Sequence, residues 1–173
     1  PAYTPGLNNS FAEGEAVPIV VCFSIGAGDI GSLLNLSFSL DLKKDSGANQ
    51  GYAFIGLADY DTTVVAPVTG ETPIGANYAE GETFAHITVL QPNDAGDEID
   101  ITSVSSVLDQ SPSTDVQTWT VDFTASETGT FYFIFGGLLA KPGDTIPVLG
   151  GTVVDGASEA GTFSARVFGQ DTA

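Results

Sequence analysis

Oxygen donors crowd one short stretch of this chain: Asn93, Asp94, Asp97, Glu98 and Asp100 all fall within residues 93–100. Carboxylates at such spacing are the hard ligands Ca²⁺ takes, about six to eight oxygens at a time. Calcium is therefore the one cofactor the sequence leaves room for, with Asp94, Asp97 and Asp100 as its ligands, and no cofactor is required elsewhere. Asp59 and Asp61 form a second, smaller group. The helix-loop-helix calcium pattern is absent, and Asx-rich turns also arise for purely structural reasons.

Other chemistry is scarce. The chain has one His and one Cys, too few for a zinc site of nitrogen and sulfur ligands. His86 alternates with Ala85 and Ile87, which places it on a strand face. A Ser-His-Asp triad would have to use it, and no Gly-x-Ser-x-Gly elbow accompanies it. Cys22 lies in the run Val20, Val21, Cys22, Phe23 and reads as a buried thiol acting as a small hydrophobe. Gly26-Ala27-Gly28 precedes neither a basic residue nor a helix, so it is no phosphate cradle. The glutamates fall mostly in loops and at strand ends, not where a glycosidase would face two carboxyls across a groove. We expect no enzyme. Sugar binding would use Trp119, Tyr52, Tyr60, Tyr78 or Tyr132. Trp119 shares a face with Val121 and Phe123 and reads as core, whereas Tyr60 and Tyr78 read as loop platforms. Asn8 and Asn35 open Asn-x-Ser/Thr sequons, sites for glycosylation in a secreted protein.

The charge removes whole classes of partner. With Lys+Arg 4 against Asp+Glu 22, the net charge is −18 over 173 residues. Four cations cannot neutralise a run of phosphates or hold an anionic lipid surface. Hydrophobic residues make up 42%, too many for an acidic disordered chain. No apolar stretch reaches the length of a spanning helix, so membrane insertion is not expected. The chain opens on Pro1 and contains no Met, which points to an upstream segment that has been removed.

The elements that would position these residues read as strands. Leu34, Leu36, Phe38, Leu40 and Leu42 alternate with polar residues, a period-two pattern with one face in a core. A loop over 43–51 and an apolar run over 52–58 complete an expected hairpin. Residues 116–124 and 130–135 form a second expected pair around a turn at 125–129. Further strands are expected over 17–25, 84–90, 98–107 and 162–168, and 103–108 has the look of a short helical turn. The run 17–25 is continuously apolar, as in a strand covered on both faces, while Pro18 marks a strand start or an edge. About eight strands with Gly, Pro, Asn and Asp turns indicate an all-β fold, an antiparallel β-sandwich of jelly-roll or immunoglobulin-like kind. We divide the chain into an N-terminal extension, 1–16, and a single domain, 17–173.

Residues 1–16, 63–78 and 136–156 do not fit the strand pattern. The last carries Leu138, Leu139, Ile146 and Val148 among glycines, an apolar density that marks either a loop folded over its own domain or an interface. Together these features describe a non-enzymatic structural subunit of an extracellular assembly: a pilus-like filament, fibre or surface layer. It would be secreted or held at the cell surface, with further copies of itself as partner. Assembly would proceed by strand addition and apolar loop contacts, with Phe11, Val17, Ile19, Val21, Leu138, Leu139, Ile146 and Val148 at the contact. The alternative is a secreted module that binds carbohydrate, such as polysaccharide, or calcium.

Overall fold

The computed structural model describes residues 12–46, 49–59, 68–69, 72–73, 78–92, 98–110, 114–146, 151–153 and 165–170. Among these residues the fold is all-β, with no helix. The strands are β1 (Ala16–Ile25), β2 (Leu34–Ser46), β3 (Asn49–Tyr52), β4 (Phe54–Ala58), β5 (Val68–Thr69), β6 (Thr72–Pro73), β7 (Tyr78–Phe84), β8 (Ile87–Pro92), β9 (Ile99–Gln110), β10 (Thr114–Ala125), β11 (Gly129–Leu139), β12 (Thr145–Ile146), β13 (Thr152–Val153) and β14 (Ala165–Gln170). Two five-stranded antiparallel sheets carry the fold, somewhat more strands than the eight expected. One runs β1-β11-β8-β7, with β4 also on β11; the other runs β14-β2-β10-β9, with β3 also on β2. The pairs β5-β6 and β12-β13 are two-residue ladders.

The alternation in β2 places its apolar side chains in the core, but the opposite face is not all in water, because Ser39 and Asp41 are buried too. Leu36, Phe38, Leu40 and Leu42 are buried. On the opposite face the Ser37 and Ser39 hydroxyls bond Thr120 and Thr118 of β10 at 2.9 and 2.7 Å. β10 alternates in the same sense, burying Trp119, Val121, Phe123 and Ala125. Trp119 is core, as its neighbours implied. The inner faces of the two sheets share one hydrophobic cluster. Phe38 of β2 stacks on Phe135 of β11 with ring centroids 4.3 Å apart, and Phe123 of β10 meets Phe133 of β11 edge-on at 5.3 Å. Each such ring pair adds about 0.5–1.5 kcal/mol beyond the area it buries.

β11 is central to its sheet. It pairs with β1 along one side and with β8 and then β4 along the other. All of residues 131–137 are buried, the pattern of a strand covered on both faces. Gly136, Gly137, Leu138 and Leu139 therefore continue the strand instead of opening the loop expected from 136 onward. Close packing explains these glycines. A Cβ at Gly136 would lie 2.7 Å from the Ala16 Cβ, and one at Gly137 would lie 2.7 Å from two ring carbons of Phe54.

Both expected hairpins are rearranged. β2 runs on to Ser46 and pairs with β3, Ser46 opposite Asn49. The chain then changes sheets at Ala53. Its N–H donates to the Leu42 carbonyl of one sheet at 2.9 Å, and its carbonyl accepts from Ala140 N, beyond β11 of the other, at 2.8 Å. Thus β4 pairs with β11 and not with β2. Likewise β10 and β11 belong to different sheets, and residues 126–128 connect the two layers rather than closing a hairpin. Residues 103–108, read as a helical turn, lie within β9. The alternation fails there because a bulge at Thr102 shifts the register between Asp122 and Phe123 of β10.

Candidate functional site

Among the described residues the histidine sits in a turn and pairs with one aspartate. His86 is not on a strand face: Ala85 and His86 form the two-residue turn between β7 and β8, with φ of 48° and 71°. Both occupy the left-handed region that such a hairpin needs and that Gly or Asn would normally fill. His86 Nδ1 meets Asp59 Oδ1 at 2.8 Å in an exposed pair. Exposed pairs of this kind contribute roughly 0–1 kcal/mol.

Of the calcium ligands expected, Asp94 and Asp97 lie outside the described residues, and Asp100 is exposed on β9 opposite Thr124. Among the described residues no group of three or more His, Cys, Asp or Glu side chains is placed to hold a metal ion. Of the aromatics weighed for sugar binding, Trp119 and Tyr132 are buried, and Tyr52 packs half-buried against the core. Tyr78 is in β7, not a loop, and turns edge-on to Tyr132 at 5.1 Å. Tyr60 and Asn8 lie outside the described residues. Asn35 is half-buried in β2, between Asp122 of β10 and Gln170 of β14. Among the described residues no helix is long and apolar enough to cross a membrane.

The residues expected to make contact divide into two kinds. Phe11 and Val148 lie outside the described residues. Val17, Ile19, Val21, Leu139 and Ile146 are buried within this chain, and Leu138 is half-buried. The five buried side chains belong to the chain's own core, so β1 has only its backbone edge and its outward-facing side chains left for a neighbour.

That edge has a defined geometry. Leu139 N donates to Glu15 O at 3.0 Å, which sets the phase of the antiparallel ladder. With the unbroken register from Ala16↔Leu138 to Ile25↔Gly129, residues 17, 19, 21, 23 and 25 direct their backbone groups to β11. Residues 16, 18, 20, 22 and 24 direct theirs outward. Pro18 thus stands where its missing N–H faces away from β11, the position that a proline tolerates at an edge. Beyond it, Val20, Cys22 and Ser24 each offer an outward N–H and C=O, with no pairing strand on that side among the described residues. Cys22 is exposed, not buried. The run is apolar on both faces, yet on the outward face only Cys22 and Ser24 are exposed, while Pro18 and Val20 are half-buried, Val20 against Leu90, Tyr132 and Ile134.

The other sheet ends on β9, the strand expected over 98–107, whose place at a sheet border the sequence did not show. Beyond the bulge, Ser105, Ser106, Val107, Asp109 and Gln110 are exposed, and Val107 retains 70% of its accessible surface. Residues 101–108 carry no charge, no Pro and no Gly, so past the bulge at Thr102 β9 has none of the charged or proline side chains that guard natural edge strands against pairing. Compared with family models, with curated proteins and with solved structures, the chain has no match in any of the three.

Proposed function

We propose that this chain is a non-enzymatic structural subunit of an extracellular assembly, a pilus-like filament, fibre or surface layer built by strand addition between copies. On this reading the two sheets are the halves of a β-sandwich of jelly-roll or immunoglobulin-like kind, secreted or held at the cell surface. The observation that carries it is the edge of β1, where Val20, Cys22 and Ser24 present outward backbone groups with no pairing strand among the described residues, on a strand without a single charge. Such an edge is completed by another strand through main-chain hydrogen bonds. The −18 charge fits the same reading, because acidic copies repel at long range and can meet only along uncharged strips.

The test is the size of the purified chain, by sizing chromatography and negative stain across a range of concentrations. Particles that grow with concentration and extend into fibres or sheets support the reading. A species of 17.8 kDa at every concentration, retained on polysaccharide or shifted in melting by Ca²⁺, replaces it with a monomeric binding module.

A further inference from the structure

The free edge of β1 needs a complementary strand, and the molecule holds one of matching character on the opposite border. We infer that the exposed edge of β9 in one copy pairs with the edge of β1 in the next, so that copies join head to tail; this deepens the strand-addition reading above and rests on it.

Position comes first. β7 and β9 meet at one border of the two sheets, where Glu82 Oε2 accepts from Ile101 N at 2.7 Å. β1 closes its own sheet at the border away from β7, and β9 closes the other sheet at the border away from β14. The two edges therefore lie on different sides of the molecule. A contact between different surfaces is not closed by a two-fold axis and propagates into a chain of copies.

Charge and length then select the pair. β7 carries Glu80 and Glu82, β14 carries Arg166, and β3 and β4 are only four and five residues long. β1 is uncharged over all ten residues, and β9 is uncharged over residues 101–108. In a chain of net charge −18, these are, among the described residues, the two long edge strands whose own side chains carry no charge over such a length, with the Glu82 and Asp122 carboxylates reaching only Ile101 and Ser103 at one end of the β9 strip. The free lengths also match: residues 20–24 of β1 and 104–108 of β9 each extend about 17 Å at roughly 3.3 Å per residue. Three outward residues of β1 supply about six backbone groups for the shared ladder. Val107, at 70% exposure, is the large apolar side chain left open on this edge.

Cys22 provides the reporter, because it is the single cysteine and is exposed on β1. Ser103→Cys, Ser105→Cys and Val107→Cys are each introduced singly and oxidised mildly in the assembled state. Head-to-tail pairing predicts that at least one variant gives, on a non-reducing gel, a ladder of dimers, trimers and higher species that collapses on reduction, since each copy then carries one thiol on each border. Wild type, with one thiol, stops at the dimer. Val107→Glu and Val107→Lys should each raise the concentration needed for assembly about tenfold or more, with the melting temperature unchanged. A wild type that assembles while both charged variants assemble equally well and no cysteine variant forms a ladder overturns the pairing alone. A wild type that never assembles overturns both the pairing and the reading beneath it.

Discussion

Gly137→Ala probes a close approach to a glycine, where β4 packs onto β11 just after the chain has changed sheets. A Cβ at this position would lie 2.7 Å from Cδ1 and Cε1 of Phe54 and 3.0 Å from Cδ1 of Ile19. Carbon atoms prefer about 3.5–4.0 Å, so the overlap is roughly 0.5–1 Å on three atoms. Phe54 is 2% exposed and Ile19 6%, so neither can swing into solvent. Overpacking of this kind costs about 1–3 kcal/mol. Removing glycine's freedom in the unfolded chain returns about 0.5–1 kcal/mol. The net loss is roughly 0–2.5 kcal/mol, and at about 2–4 °C per kcal/mol for a chain of this size the melting temperature falls by up to roughly 10 °C. Gly56→Ala is the matched control, because nothing lies within 4 Å of its Cβ position and its φ is not left-handed. That variant should gain about 0.4–1 kcal/mol. Urea denaturation followed by the fluorescence of Trp119, the only tryptophan, measures both. The reasoning fails if Gly137→Ala is as stable as Gly56→Ala.

Phe135→Ala removes a fully buried ring that stacks on Phe38 of the facing sheet, and should cost about 3–5 kcal/mol by urea denaturation. A loss under about 1 kcal/mol would mean the sheets do not share that core. Cys22 should react with a thiol reagent in the native, unassembled protein at a rate close to that of a free thiol, and a rate that rises only on unfolding would contradict its exposure. The double replacement Ala85→Asn with His86→Gly installs the residues that a turn with two positive φ values prefers. It should raise stability by about 1–2 kcal/mol despite loss of the exposed Asp59 contact, and a destabilised variant would refute the turn geometry.

The strand content was legible because burial of one face imposes period two, and β2 and β10 carry that period over long stretches. Which sheet a strand joins was not legible. Alternation records an inner face and says nothing about the neighbour, so the changes of sheet at Ala53 and between β10 and β11 were read as hairpins. Gly136 and Gly137 looked like a loop signal, whereas the contact they permit is with Phe54 and Ala16, distant in sequence. The turn at Ala85 and His86 carries neither Gly nor Asn and so gave no local sign. β9 was obscured by its bulge, which moves the apolar side from Ile99 and Ile101 to Val104 and Leu108. Of the candidate site, Pro18 correctly signalled an edge. The thiol beside it was misjudged because an apolar run does not distinguish a central strand from one at a border.

The central claim is that uncharged strand edges join copies of a strongly acidic chain into an open assembly. Sedimentation velocity of the purified protein at rising NaCl tests it most directly. Salt shortens the reach of like-charge repulsion, to about 10 Å at 0.1 M, and leaves backbone pairing intact. The account predicts that the mean mass rises with both concentration and salt, without settling at a dimer. A single 17.8 kDa species throughout, or an assembly that dissolves as salt is added, would contradict it.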